Sequence, residues 1–201
     1  MTHRCTPEKP NDHVLLLDGT EIAVRQLTEH DVDAIVDLHR KLTDREQYFR
    51  FFVMHPAHLE EFAHKLVQRT PTRCALGAFE SGQLIGVGNY VVTSDAQSAE
   101  IAVAVAHEDH LRGVATTLLR LLGSAARSHG IRWFVADVLA VNTDMLRVLS
   151  GTGWQRTQRY DGPVRTVRLD LESTKDDSPM PTAIPASRND LLDTVAHRAG
   201  F

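Results

Sequence analysis

The strongest constraint in this sequence is a polar turn that leads directly into an amphipathic helix, HEDHLRGVATTLLRLLGSAARSHG at residues 107–130. Gly113 lets backbone N–H groups approach a ligand closely. The first N–H groups of a helix lack internal partners and carry positive potential. Arg112 adds a positive charge that suits phosphate. The turn therefore predicts an anion-binding site, the alternative being a tight strand-to-helix turn with an exposed arginine.

Hydrophobic periodicity and turn signals predict strands and helices along most of the chain. The predicted strands are 22–27, 74–79, 83–93, 100–105, 131–139, 154–160 and 164–171. The predicted helices are one after Thr28, one from Pro56 to about Val67, one from Val114 to His129 and a short one at 143–150. This order predicts a mixed α/β domain of the α+β type.

Composition divides the chain into four parts. Residues 1–13 are polar and predict a flexible N-terminus, whereas residues 14–172 predict one folded domain. Residues 173–187, STKDDSPMPTAIPAS, have the composition of a linker. Residues 188–201 carry an amphipathic pattern after capping residues, which predicts a C-terminal tail helix.

The overall composition excludes several classes of protein. A net charge of −4 argues against a general nucleic-acid partner. No apolar run approaches the roughly 20 residues of a membrane span, and the Val14–Leu17 patch is too short for the core of a signal peptide. We therefore expect a cytoplasmic protein with no nucleic-acid and no membrane partner.

The polar turn resembles the pyrophosphate-binding signature of the GNAT superfamily of N-acyltransferases, Gln/Arg-x-x-Gly-x-Gly/Ala. His110, Gly113 and Ala115 occupy its first, fourth and sixth positions. A strand, an asparagine, a short helix and a closing glycine-aromatic pair, GTGW at residues 151–154, follow as they do in that family. The resemblance implies the family fold, a mixed, mostly antiparallel twisted sheet of six to seven strands flanked by about four helices.

The same resemblance implies acetyl-CoA as the cosubstrate. Its pantetheine arm is expected between two splayed parallel strands, 100–105 and 133–139, and its pyrophosphate on the turn at residues 111–116. The cofactor-binding residues implied in this way are Val103, Val105, His110, Leu111, Arg112, Gly113, Val114, Ala115, Thr116 and Asn142.

The N-terminal part resembles the Pat-type protein lysine acetyltransferases. It carries a similar opening, DGTEIAVRQLTEHDVDAI, and the cluster Tyr48, Arg50, Phe51 and Phe52. This resemblance implies a protein lysine as the acceptor and leaves both a monomer and a homodimer open. We expect the aromatic residues of the cluster to pack, with Arg50 facing the acceptor cleft.

Two positions depart from the family pattern. His110 stands where glutamine or arginine is usual. A neutral imidazole still donates one hydrogen bond and tends to protonate near a diphosphate, so weaker or more pH-sensitive cofactor binding is expected. Leu149 stands where many members carry a tyrosine that protonates the leaving thiolate. The sequence therefore assigns no donor for the proton that the leaving thiolate accepts.

Glu100 is the predicted general base. Amide formation needs a neutral amine, and a lysine amine with an ordinary pKa of about 10.4 is mostly protonated at neutral pH. Glu100 lies thirteen residues before the glycine of the turn, where protein-acetylating GNAT members carry a strand glutamate, and it shares its strand face with Ala102 and Ala104. The alternatives are a solvent-facing glutamate, or a base at Glu108 or Asp109.

No metal is expected. His107 and His110 are three residues apart, as are His55 and His58, but the sequence shows no further ligand for either pair.

The sequence thus predicts an enzyme that transfers acetyl from acetyl-CoA directly to a protein lysine. One alternative is acetylation of a small amine, such as a polyamine or an aminoglycoside, which an acidic, open acceptor cleft would favour. Another is a catalytically weak regulatory protein that binds acyl-CoA, which the departures at His110 and Leu149 would fit.

Overall fold

The computed structural model describes residues 12–174. This part of the chain holds eight strands and five α-helices. The strands are β1 (Asp12–Leu15), β2 (Glu21–Gln26), β3 (Arg73–Glu80), β4 (Gln83–Val92), β5 (Ser98–Val105), β6 (Trp133–Leu139), β7 (Trp154–Asp161) and β8 (Val164–Thr174). The helices are α1 (Val32–Lys41), α2 (Asp44–Phe51), α3 (Leu59–Val67), α4 (Val114–Ser128) and α5 (Thr143–Gly151).

The predicted fold class is confirmed, with small corrections to the element count. Strand β1 adds an eighth strand, and it places Asp12 and His13 in a ladder with β2 although both were predicted to be flexible. Strand β8 runs to Thr174, two residues into the predicted linker. The remainder of that linker and the predicted tail helix at 188–201 lie outside the described residues.

Helix α2 is the fifth helix, and the sequence pattern had indicated only an aromatic cluster there. Its apolar residues do not recur at a clear helical spacing, so periodicity gives little signal. A capping box begins the helix instead: the Thr43 hydroxyl accepts from the Glu46 N–H, and the Glu46 carboxylate accepts from the Thr43 N–H. Phe52, in the left-handed conformation at φ 58°, ends it.

All eight strands form one sheet, in the order β1-β2-β3-β4-β5-β6-β8-β7. Every neighbouring pair is antiparallel except β5 and β6, which are parallel. The β5–β6 register covers Ser98 to Glu100 against Trp133 to Val135 and ends there. The two strands therefore separate in the middle of the sheet, and the rest of β5 stays paired only with β4.

Helices cover both faces of the sheet. Alternate residues of β3 enter two separate cores, because successive side chains of a strand point to opposite faces. Leu76 and Ala78 belong to the core shared with α4, whereas Ala75 belongs to the core shared with α1 and α3. None of the helices between residues 12 and 174 has the length and apolar character needed to cross a membrane.

Helix α4 lies against the closing tryptophan of the family pattern. At Gly123 a β-carbon would stand 2.4 Å from the Trp154 ring, which is closer than any van der Waals contact allows. Trp154 is buried and makes an edge contact with Phe134 of β6, so the ring has little room to move. Gly123 therefore sets how closely α4 approaches the sheet.

We expect Gly123→Ala to destabilise the protein by about 1–3 kcal/mol, the usual cost of overpacking a core. This outcome opposes helix propensity, which favours alanine over glycine by about 1 kcal/mol. Urea denaturation measures the change. Ser124→Ala, on the exposed side of the same helix, is the control and should stay within about 0.5 kcal/mol of wild type. Equal stability of the two variants would contradict this packing argument.

Candidate functional site

A cleft of about 1220 Å³ opens where β5 and β6 separate. The polar turn, α2 and α5 complete its walls. Nearly all of the residues predicted for the site line it: Glu100, Val103, Val105, His110, Leu111, Gly113, Val114, Ala115, Thr116 and Asn142. Arg112 is the exception.

The turn has the backbone geometry of an anion site. Gly113 adopts φ 94° directly before α4, and Leu111 adopts φ 65° although it is not a glycine. No side chain caps the start of α4. Among residues 12–174, the N–H groups of its first turn therefore have no helical or side-chain acceptor, and the positive end of the helix faces the cleft.

The side chain of Arg112 is bound by three carboxylates of the protein itself. Its guanidinium donates to Asp18 Oδ2 at 2.7 Å, to Glu80 Oε1 at 2.7 Å and to Asp109. Glu80, Asp18 and Asp109, in that order, raise the pKa of Arg112. These ion pairs connect the polar turn to the β1–β2 turn and to β3.

The β1–β2 turn also contacts the polar turn directly, through Leu17. The Leu17 N–H donates to the Arg112 carbonyl at 3.1 Å, and the Leu17 side chain lies 3.3 Å from the place where a β-carbon of Gly113 would stand. Asp18 belongs to the DGT segment that the sequence analysis noted only as a family resemblance. In the structure this segment fixes the polar turn against the sheet through its contacts with Arg112.

His110 contacts the protein on the cleft wall. Its Nε2 lies 3.1 Å from the Val105 carbonyl and 3.5 Å from Glu46 Oε1. His107 Nδ1 lies 2.8 Å from the same carboxylate oxygen, and this hydrogen bond raises the pKa of His107. Helix α2 and the turn are thereby joined through Glu46, a residue that the sequence analysis did not single out.

Glu100 is the last residue of β5 that pairs with β6. It is half-buried at the point where the strands separate. Asn89 of β4 pairs with Ala102, so it lies on the same sheet face as Glu100. Arg50 donates to Asn89 Oδ1 at 3.0 Å and interacts electrostatically with Glu100. Burial lowers the pKa of Arg50 to about 10, and the Glu100 carboxylate partly offsets this effect.

The aromatic cluster of α2 divides between core and cleft. Phe51 is buried and makes an edge contact with Phe62 at 5.1 Å between ring centroids, which is the packing role expected from the sequence. Phe49 and Phe52 line the cleft beside Arg50. Helix α2 and its end therefore contribute aromatic rings, two arginines and Glu46 to the cleft wall.

Asn142 and Leu149 lie at the two ends of α5. The Asn142 side chain caps the helix by accepting from the Met145 N–H at 3.1 Å, as its sequence position predicted. Leu149 is 1% exposed and belongs to the core beneath the sheet. This position therefore supplies packing and offers no proton donor to the cleft.

Comparison with known proteins agrees with this geometry. Residues 21–155 match the family described as the acetyltransferase (GNAT) domain. The chain belongs to this family. As a GNAT acetyltransferase it is an enzyme that transfers acetyl from acetyl-CoA to an amine. No protein of curated function matches the sequence.

Solved GNAT structures resemble the chain over most of its length. The GNAT domain of S. lividans PAT is 29% identical, with a TM-score of 0.75, over 82% of this chain and 98% of that one. AAC(6')-Ib in complex with ribostamycin and coenzyme A has 16% identity and a TM-score of 0.58, over 77% and 94% of the two chains. The cAMP-binding acyltransferase from Mycobacterium smegmatis has 20% identity and a TM-score of 0.56, over 94% of this chain but 54% of that one.

We expect Arg112→Gln to lower the urea midpoint of the enzyme, because Asp109 is buried and loses its cationic partner. The Thr20 N–H and the Arg112 guanidinium hold the pKa of Asp18 at about 2. A depressed carboxyl pKa stabilises the fold above the ordinary value near 4, and this contribution is lost as the pH falls toward 2. The difference between variant and wild type should therefore be largest near neutral pH and shrink on acidification.

Arg147→Gln is the matched control, because Arg147 makes one exposed ion pair, to Asp144 at 3.1 Å. Its urea midpoint should stay close to that of wild type at every pH. An Arg112 variant that behaves like this control would show that the three carboxylates do not hold the turn.

Proposed function

We propose that this GNAT acetyltransferase acetylates lysine side chains of proteins, with Glu100 as the general base. The observation that carries the proposal is the position of Glu100, at the branch point where β5 and β6 separate and the cleft begins. The acetyl group would be held between β5 and β6, and the acceptor amine would approach it from one face of the sheet. A carboxylate at the branch point lies beside the position where the two would meet.

The proposed reaction is a direct transfer. The neutral lysine nitrogen forms a bond to the acetyl carbonyl carbon, and the carbon–sulfur bond of the thioester breaks to release a thiolate. Glu100 supplies this neutral amine by accepting the proton that the lysine ammonium loses before the attack, directly or through water. The second proton, which the nitrogen loses after the attack, passes through water to the thiolate. Ala102 and Ala104 share its strand face and leave space for the acceptor chain.

The proposed cofactor site combines the turn with the free edge of β5. The N–H groups at the start of α4 would hold the diphosphate, together with the backbone of residues 111–116. Val103 and Val105 lie on the part of β5 that has no β6 partner. Its outer backbone edge, apart from the Val105 carbonyl that His110 contacts, would bond the pantetheine arm. Asn142 lines the opposite wall.

The charge of the cleft favours a protein acceptor over a small polycationic amine. Its walls carry five basic residues, Arg45, Arg50, Lys65, Arg73 and Arg147. They carry five acidic residues, Glu46, Glu100, Asp109, Asp137 and Asp144. A cleft that concentrates a polyamine or an aminoglycoside needs an acidic excess, and this balance provides none. The similarity to the PAT domain of S. lividans supports the same choice.

We expect Gly113→Ala to weaken acetyl-CoA binding strongly. A methyl group at φ 94° strains the turn and pushes toward Leu17, which displaces the N–H groups of the anion site. Calorimetric titration with acetyl-CoA measures the affinity. Gly130→Ala is the control, because Gly130 also has a positive φ, 76°, but lies at the far end of α4. Equal affinity in both variants would place the cofactor elsewhere.

We expect Glu100→Gln to keep its affinity for acetyl-CoA and to lose roughly a hundredfold or more in turnover, the usual contribution of a positioned general base. The deficit should shrink as the pH rises toward the amine pKa of about 10.4, because the acceptor then arrives neutral. Steady-state rates across pH measure both effects. Glu108→Gln, an exposed residue on the turn, is the control and should retain wild-type turnover. Wild-type turnover in the Glu100 variant would remove it from the mechanism.

The acceptor class is tested with a panel of proteins, polyamines and aminoglycosides, by acetyl-CoA turnover and mass spectrometry of the products. We expect modified lysines on protein acceptors and much slower reaction with the small amines. Faster reaction with a small amine would favour the alternative that the enzyme acetylates small amines. Tight acetyl-CoA binding without turnover on any amine would favour the regulatory alternative.

A further inference from the structure

We propose that Glu46, His107 and His110 form a binding site for one divalent transition-metal ion, with zinc as the best match. Glu46 comes from α2, and the two histidines come from the start of the polar turn, where residues 107–109 form a short 3-10 helix that ends at His110. One ligand atom of each lies within 4.8 Å of the ligand atoms of the other two. The sequence had offered two histidines without a further ligand, and the fold supplies it as Glu46.

The ligand set selects among metal ions. Two imidazoles and one carboxylate suit zinc and its transition-metal neighbours, whereas magnesium and calcium prefer oxygen ligands alone. Zinc sites with three protein ligands keep a fourth position for water or another molecule. The proposed site is of this open kind, and it lies on the wall of the cleft.

The distances allow the site to form with small side-chain movements. His107 Nδ1 lies 2.8 Å and His110 Nε2 lies 3.5 Å from Glu46 Oε1. Zinc–ligand bonds of about 2.0–2.2 Å in a tetrahedron place ligand atoms about 3.3 Å apart. The His107 side chain is 68% exposed, so it can rotate to meet an ion, whereas Glu46 is only 17% exposed.

The surroundings hold Glu46 in place as a ligand. Its second oxygen, Oε2, accepts from the Thr43 N–H at 2.8 Å. Hydrogen bonds of this type, between a ligating residue and a backbone group, orient metal ligands in proteins. His110 Nε2 lies 3.1 Å from the Val105 carbonyl and exchanges this contact for the ion when the site is occupied.

The test is calorimetric titration of zinc chloride into the full-length, metal-stripped protein. We expect one saturable zinc ion per chain, with binding at least about tenfold weaker in His107→Ala, since loss of a ligand costs no less than loss of an outer-shell partner. His64→Ala is the matched control, because His64 faces one carboxylate, Glu29, at 3.3 Å with a similar exposure, and no third ligand lies near it among residues 12–174. Its affinity for zinc should equal that of wild type.

Each other outcome overturns the proposal. Absence of saturable binding in the wild type removes the site, and wild-type affinity in His107→Ala moves the ion elsewhere among the 11 histidines of the chain. An equal loss in His64→Ala points to unspecific binding. His107 is exposed, and circular dichroism verifies that its variant is folded. The proposed acceptor and base do not enter this measurement, so it stands or falls separately from the proposed function.

Discussion

The separation of β5 from β6 is the constraint on which the rest of the structure depends. A parallel pair in an otherwise antiparallel sheet needs a crossover, and here the polar turn and α4 make it. Pairing that ends at Glu100 leaves the remainder of β5 with backbone groups on one edge that have no strand partner. Those groups stay accessible because the cleft is open to solvent or a ligand, which is the condition under which unpaired backbone is tolerated.

The crossover can work only if the start of α4 stays fixed relative to the two strands. Two sets of contacts achieve this. Arg112 ties the turn to Asp18 and Glu80 on one side, and Gly123 lets the far half of α4 rest on Trp154. The charge of Arg112 is balanced by carboxylates of the protein, and the start of α4 adds the positive potential of a helix N-terminus.

Sequence patterns predicted the fold well where burial follows a clear period. The strands on both sides of the cleft and the amphipathic α4 carry such periods, and their predicted limits agree with the structure to within about two residues. Helix α2 carries none, so only its capping residues, Thr43 and Glu46, could have revealed it. Strand β1 is four residues long and pairs on one side only, which leaves almost no compositional trace.

The features of the candidate site that lie close together in the sequence were predictable. The contacts between residues far apart in the sequence were missed. Glycine, turn and helix start are neighbours in sequence, so their shared chemistry is visible there. The partners of Arg112 are not: Asp18 lies 94 residues away and Glu80 lies 32 residues away. Glu46 meets His107 across 61 residues, and Arg50 meets Asn89 across 39. No spacing rule predicts such pairs, because the sheet order determines them.

The absence of a proton donor at Leu149 is compatible with efficient transfer. In the tetrahedral intermediate the thiolate competes with the amine as leaving group, and a thiol has an ordinary pKa of about 8.5 against about 10.4 for a lysine amine. The thiolate is the weaker base, so it leaves first even without a proton. In the proposed mechanism Glu100 is needed to supply the neutral amine, and a buried leucine at the other position costs little. The proposed reaction therefore depends more on a base at Glu100, where β5 and β6 separate, than on a proton donor at position 149.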